Sequence, residues 1–242
     1  MKEINLSIII PCYNEEKNIP PIIERLKGVL NKEEIEIILV DNGSKDNTNK
    51  IIKEYSKKFN NLRLAVVKEN IGYGFGIFTG LKKAKGKFLC WTHADLQTDP
   101  NNCLEAYEII KNQQNPEKSY IKGKRYGRPI SDIFFTIGMS IFATLVLRRS
   151  FWDINAQPNL FHRFFLKLMK DPPLDFSFDL YSYYLARANK YSIMKFPVLF
   201  EKRRYGHSKW NFGFKSRLKF IKRTILFILN LKKYIKNAKD SS

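Results

Sequence analysis

Four apolar, β-branched runs recur at a regular interval in the first 110 residues: Leu6–Pro11, Glu34–Val40, Leu62–Val67 and Lys87–Thr92. Each is followed by a segment with helical character. The first is entered through Asn14 and runs to Leu30, with Pro20-Pro21 disturbing its start, and the second covers Asp46–Phe59. The third follows the glycine-punctuated stretch Asn70–Gly80 to about Lys85, and the fourth is capped by Asp99 with Pro100 in its first position. A strand–helix alternation of this kind requires a mostly parallel sheet with helices on both faces. Ligands of such sheets bind beyond the carboxyl ends of the strands. Three polar clusters, Tyr13–Glu15, Asp41–Ser44 and His93–Gln97, follow strands at that edge.

Hydrophobic residues make up 44% of the chain and aromatics 14%, enough for a core and too much for a disordered chain. Cys12, Cys90 and Cys103 form no CxxC pair, which excludes a disulfide scaffold and points to a reducing compartment. Charge is divided unevenly. Residues 1–110 hold 16 Lys/Arg against 15 Asp/Glu, a net of +1; residues 111–242 hold 27 against 8, a net of +19. A cationic half attracts phosphates, whether of nucleic acid, lipid headgroups or substrates. Two apolar stretches stand out: Ile133–Leu147, closed by Asp132 and by Arg148-Arg149, and Thr224–Leu231, flanked by Lys222-Arg223 and Lys232-Lys233. Both fall short of the roughly 17 to 25 residues of a spanning helix, so each reads as a buried helix or one lying in the membrane interface. No signal peptide is visible in the chain.

There is no GxxxxGK[ST], and Gly72, Gly74 and Gly76 do not spell GxGxxG, so a dinucleotide cofactor is disfavoured. These glycines serve tight turning or a close approach of backbone to a ligand. In an extended segment His93, Asp95 and Gln97 would face one way and suit Mn²⁺ or Mg²⁺ shared with substrate phosphates; the alternative is an Asx turn plus a helix cap.

The runs IIPCYNE (Ile9–Glu15), VDNGSKDNT (Val40–Thr48), NIGYG (Asn70–Gly74) and HADLQTDP (His93–Pro100) together resemble glycosyltransferase family 2. Within it they look most like the dolichyl- or polyprenyl-phosphate mannosyltransferase branch. GKRY (Gly123–Tyr126), FSFDL (Phe176–Leu180) and PVLFEKRRYGHSK (Pro197–Lys209) extend the resemblance over about residues 5 to 212. It implies an α/β fold of the GT-A nucleotide-binding type. The catalytic domain would be 1–212, followed by a basic, amphipathic, membrane-interfacial C-terminal helix or tail over 213–242. It also implies that Pro11, Tyr13, Glu15, Asp41, Asn42, Gly43, Asn70 and Gly72 line the nucleotide-sugar pocket with Asp95. His93, Asp95 and Gln97 would hold the metal. Arg125, Arg203 and Lys209 would meet the acceptor phosphate, and Asp95, Asp179, Arg203 and Lys209 would carry the chemistry. The chain departs from the family pattern at His93, where Asp is usual; at Asn42, in place of a second Asp; and at Tyr181, where relatives often carry Glu.

The last departure bears on mechanism. A sugar hydroxyl needs a general base to become a nucleophile. A phosphate monoester, with a second pKa of about 6, is already ionised and needs cations instead. A base-poor, cation-rich chain therefore suits inverting transfer from GDP-mannose or a UDP-hexose to a polyprenyl or dolichyl phosphate. The partners expected are that donor, that acceptor, an anionic membrane surface and a membrane-anchoring protein, with the chain cytoplasmic and peripheral at the inner face of a membrane. A saccharide acceptor with Asp179 as base is the alternative. Nucleic-acid binding through the +19 half and Trp210, Phe212, Phe214 and Phe220 would leave the front clusters unexplained, so no specific nucleic acid is expected.

Overall fold

The computed structural model describes residues 3–30, 32–203, 205 and 221–233. Contacts divide the chain into two compact units, Met1–Arg128 with Asn155–Tyr205, and Pro129–Ile154 with Gly206–Ser242. This division differs from a single boundary at residue 212, because Pro129–Ile154 leaves the first unit.

The first unit is built on a seven-stranded sheet. β1 (Leu6–Cys12), β2 (Ile35–Asn42), β3 (Leu62–Val67) and β4 (Phe88–Trp91) are the four expected strands, joined by α1 (Ile19–Arg25), α2 (Thr48–Ser56) and α3 (Tyr73–Lys83). After β4 come α4 (Asn102–Lys111), β5 (Ser119–Tyr126), β6 (Asn159–His162), α6 (Phe178–Ala188) and β7 (Ser192–Leu199). The sheet order is β3-β2-β1-β4-β6-β5-β7. β1 pairs in parallel with β2 and β4, and β2 with β3. β6 runs antiparallel to both β4 and β5, and β7 returns parallel to β5.

The sequence explains the central strands directly. β2 is buried at every position and β1 at every position except Pro11, as expected of strands covered on both faces. Glu36, at the amino end of β2, is a buried carboxylate that is fully engaged. It accepts from Ser7 Oγ at 2.6 Å, from Arg63 Nη1 at 2.7 Å and from the Lys85 amide.

Two helix starts differ from expectation. α1 begins at Ile19, not near Asn14, with Pro20 and Pro21 in its first turn. Proline lacks an N–H, so it is tolerated there and nowhere deeper, and it fixes where the helix can start. α4 begins at Asn102, not after Asp99. The Asn102 amide donates to the Asp99 carbonyl at 3.0 Å and the Cys103 amide to that of Pro100 at 3.1 Å, one tight turn ahead of the helix.

In the second unit, α5 (Ile130–Leu147) carries Ile130, Phe134, Ile141 and Leu145, all exposed by half or more. At 100° per residue these positions fall within one narrow stripe of the helix. A helical stretch over 221–233 buries Ile228 and Leu231 and exposes Leu226, Leu229, Lys222, Arg223, Lys232 and Lys233. Among the described residues no helix is long and apolar enough to cross a membrane. Trp210, Phe212, Phe214, Phe220 and the rest of the expected tail lie outside the described residues.

Candidate functional site

The loops after β1 and β2 are stitched together at the carboxyl edge. The Asn14 amide donates to Ser44 Oγ at 3.1 Å, the Lys45 amide to Asn14 Oδ1 at 2.8 Å, and the Glu15 amide to Thr48 Oγ1 at 2.8 Å. Asp41 is almost fully buried. Its Oδ1 accepts from the Ser44 amide at 3.0 Å and its Oδ2 from Asn49 Nδ2 at 2.7 Å. Burial pushes the Glu15 carboxyl up, opposed by its hydrogen bond from Asn18 and by the charge of Arg203. Pro11 and Tyr13 are half-buried beside these loops.

Three residues expected on the nucleotide, Asn42, Gly43 and Gly72, also make contacts between loops. Asn42 is buried, and its Nδ2 donates to the Gly72 carbonyl at 2.9 Å. Gly43 has φ +74°, and a Cβ there would stand 2.5 Å from the Asn70 backbone nitrogen. Gly72 has φ +152°, and a Cβ there would stand 2.2 Å from the Leu174 carbonyl oxygen. The close approach that the glycines allow is therefore to another stretch of the chain.

The segment His93–Gln97 is not extended. Leu96 adopts φ +58°, a left-handed conformation that costs a leucine about 1 kcal/mol. The reversal separates the three expected ligands. The Tyr73 hydroxyl lies 3.5 Å from His93 Nε2 and the two rings stack, centroids 5.1 Å apart. Gln97 turns to the segment after β7: its Nε2 donates to the Glu201 carbonyl at 3.3 Å, and its own carbonyl accepts from the Glu201 amide at 2.7 Å. Asp95 Oδ1 accepts from the Gln97 amide at 3.1 Å, while Oδ2 accepts from Arg203 Nη2 at 2.7 Å. Among the described residues no three His, Cys, Asp or Glu side chains gather as a metal site. Asp95 is the carboxylate of the expected trio and suits a hard divalent cation, while His93 lies against Tyr73 and Gln97 against Glu201.

Asp179, expected among the residues that carry the chemistry, is buried. It opens α6 but is 1% exposed, and its Oδ1 accepts from Trp91 Nε1 at 3.1 Å and Gln157 Nε2 at 2.8 Å. Burial pushes its carboxyl up, with the charges of Lys122 and His93 and both hydrogen bonds opposing. Trp91 and Gln157 thus occupy one oxygen of a carboxylate that is closed to solvent. Tyr181 donates its hydroxyl to the Lys170 carbonyl at 2.5 Å and is structural.

Residues 7–159 match the model of glycosyl transferase family 2. The chain belongs to that family. A dolichyl-phosphate beta-glucosyltransferase of Trichomonas vaginalis is 30% identical over 131 residues, 51% of this chain and 40% of the relative. An undecaprenyl-phosphate 4-deoxy-4-formamido-L-arabinose transferase of Proteus mirabilis is 32% identical over 128 residues, 48% of this chain and 39% of the relative. The chain thus spans about two fifths of the length of these curated relatives. Glucosyl-3-phosphoglycerate synthase of Mycobacterium tuberculosis, solved with Mn²⁺, UDP and its product, superposes with a TM-score of 0.71 at 14% identity. That match covers 94% of this chain and 79% of the other and supports the GT-A-type fold.

For this family 2 chain the cations expected near the acceptor divide. Arg203 is joined to Asp95 at the carboxyl edge. The Arg125 guanidinium lies over the Phe200 ring, 5.2 Å from its centroid. Lys209 lies outside the described residues. Sequence reasoning missed Gln157, Asn159 and Lys122, which lie in or beside strands and carry no motif of their own, and gave no role to Tyr73, which lies inside the NIGYG run and opens α3. Nothing in the run SYIKGKRY of β5 marks Lys122 as its buried lysine.

Proposed function

We propose that the protein transfers a hexosyl group from a nucleotide sugar to the phosphate of a polyprenyl or dolichyl phosphate, with inversion, at the surface of an anionic membrane. The observation that carries this reading is the sealing of Asp179. With that carboxylate out of reach, an acceptor that arrives already ionised is favoured over a sugar hydroxyl that must be deprotonated. The cation-rich second half and the names of the relatives support the same acceptor class.

The residues then divide the work. The loops after β1 and β2 form the floor for the nucleotide, with Asp41 held by Ser44 and Asn49. Asp95 holds Arg203 at the edge, where its guanidinium offsets charge developing on the departing nucleoside diphosphate. Mn²⁺ or Mg²⁺ held by Asp95 would add to that stabilisation. The acceptor phosphate oxygen displaces the diphosphate from the anomeric carbon, and Arg125 offsets the repulsion between the two phosphates. The exposed stripe of α5 and the basic residues of 221–233 dock on the bilayer that carries the acceptor.

The test supplies purified protein with Mn²⁺, polyprenyl phosphate in detergent and a panel of radiolabelled nucleotide sugars. Label extracted into organic solvent from one donor is expected. Nucleotide release with all label left in water would replace the lipid acceptor with a water-soluble one. Consumption of no donor would overturn the transfer reading.

A further inference from the structure

Two segments meet at the carboxyl edge that the strands alone do not bring together. One is the loop after β4, which carries Asp95, Gln97 and Asp99; the other is the chain after β7, which carries Arg203. β7 ends at Leu199, so Arg203 stands beyond the sheet in a stretch without helix or strand. Hydrogen bonds set the course of that stretch. The Phe200 amide donates to the Tyr126 carbonyl at 2.9 Å, and the Glu201 amide to the Gln97 carbonyl at 2.7 Å. Gln97 Nε2 returns a bond to the Glu201 carbonyl at 3.3 Å. Arg203 then reaches Asp95 Oδ2 with Nη2 at 2.7 Å.

A third element closes the arrangement. Arg25, in the last turn of α1, places its guanidinium between the two segments: Nη1 lies 3.6 Å from Asp99 Oδ2, and Nη2 lies 3.6 Å from Glu201 Oε2. The Arg25 carbonyl accepts from Asn101 Nδ2 at 2.9 Å, and the Asn101 amide donates to Asp99 Oδ1 at 2.9 Å. Main chain and side chain of Arg25 are thus both tied to the stretch that follows Asp95. The Arg25 side chain is 19% exposed, against 44% for Asp99 and 39% for Glu201, so the cation is the sheltered member that two carboxylates share. A single exposed ion pair contributes little, but a planar guanidinium with one nitrogen on each carboxylate fixes both at once.

We infer that Arg25 is a positioning residue: it clamps the Glu201 segment to the Asp99 loop and so holds Arg203 at the edge before a ligand arrives. This rests on the role proposed above for Arg203, which offsets charge on the departing nucleoside diphosphate. An arginine already held in place gives up less freedom on binding, and that is what the clamp supplies. Arg25 lies outside every run that carries the family resemblance, so the sequence gives it no role. Lysine does not replace it, because a compact ammonium is a point charge without the fork that spans two carboxylates.

The experiment is calorimetric titration of UDP and of GDP, with Mg²⁺ present, into the full chain and its variants. Arg203→Gln should weaken binding of the preferred nucleotide roughly ten-fold or more, the scale of a lost hydrogen bond between charged groups. Arg25→Gln should weaken it about three- to five-fold, the scale of a shared surface ion pair, and Arg25→Lys by less. Glu201→Gln opens the clamp from its other side and should match Arg25→Gln; if Arg25→Gln does not fold, Glu201→Gln takes its place. The deciding variant joins Arg25→Gln to Arg203→Gln. A residue that acts through Arg203 then has nothing left to position, so the double variant should bind as Arg203→Gln does, to within about two-fold. A general structural defect would instead cost the same factor in both backgrounds, and that additive result overturns the inference. Wild-type affinity in Arg25→Gln overturns it too, while leaving Arg203 its role. Wild-type affinity in Arg203→Gln removes the diphosphate role of Arg203 and the inference with it. The expected affinities together with no label in organic solvent would sink the lipid acceptor and leave the clamp standing.

Discussion

Burial changes what a carboxylate can do. Asp179 sits at the position where the sequence suggests a base, yet Trp91 and Gln157 occupy one of its oxygens and the protein closes over it. Burial raises its carboxyl, so the folded protein binds that proton more tightly than the unfolded chain does. The stability this gives is fully present below the unfolded value of roughly 3.9 and is lost as pH rises through the higher folded value. Asp179→Asn keeps the Oδ1 acceptor and removes the titration. The melting temperature of the wild type minus that of the variant should therefore fall as pH is raised from about 4 to about 7. Turnover of Asp179→Asn should stay within about ten-fold of wild type, whereas losing a working base costs roughly 10²- to 10⁴-fold. A loss in that larger range would restore Asp179 as the base. At this scale the sequence was a partial guide. The site residues on one loop were visible as motifs. Their orientation was not, because a leucine gives no sign of the left-handed turn at Leu96 and the partners Tyr73 and Glu201 lie far from them in the chain.

Elements were more legible than contacts, and the reason is periodicity. β1, β2 and β4 announce themselves because a strand buried on both faces must be largely apolar, and β3, at the sheet edge, by its run of branched residues. β6 has four residues and runs against its neighbours, so neither its length nor the strand–helix alternation marks it. Yet β6 carries Asn159 and adjoins Gln157, and the Asn159 amide holds the Gln157 side chain that donates to Asp179. Helix seating depends on small residues in the same way. Gly80 of α3 faces the sheet, and a Cβ there would stand 2.4 Å from Ile9 Cγ2 and 2.9 Å from Val40 Cγ2. Gly80→Ala gains up to about 1 kcal/mol in helix propensity. Against that, overpacking a filled core costs about 1 to 3 kcal/mol. Because both neighbours are branched side chains in buried strands, the penalty should win, and thermal unfolding should show a melting temperature lower by a few degrees, at roughly 2 to 4 °C per kcal/mol. An unchanged or raised value would mean that α3 moves off β1 and β2 without penalty.

For the whole molecule, the division of charge is the property to explain. A net of +19 in residues 111–242 against +1 in residues 1–110 places the cations in the half that holds α5 and the helix over 221–233. A soluble surface does not need four large apolar side chains in one stripe, and Ile130, Phe134, Ile141 and Leu145 are all half-exposed or more. Both features suit a bilayer with anionic headgroups, the first through long-range attraction and the second through insertion. The two contributions separate experimentally. Co-sedimentation with mixed neutral and anionic vesicles should weaken from low salt to about 1 M, where the Debye length falls from about 10 Å at 0.1 M to about 3 Å. Phe134→Ser with Leu145→Ser should weaken binding at every salt concentration. Losing the insertion of two side chains at about 1.5 kcal/mol each corresponds to a roughly hundred-fold drop in partitioning. Wild-type partitioning by that double variant would remove α5 from the membrane contact. Failure of the wild type to sediment at low salt would remove the membrane surface as a partner, leaving the cations of the second half to serve phosphates in solution.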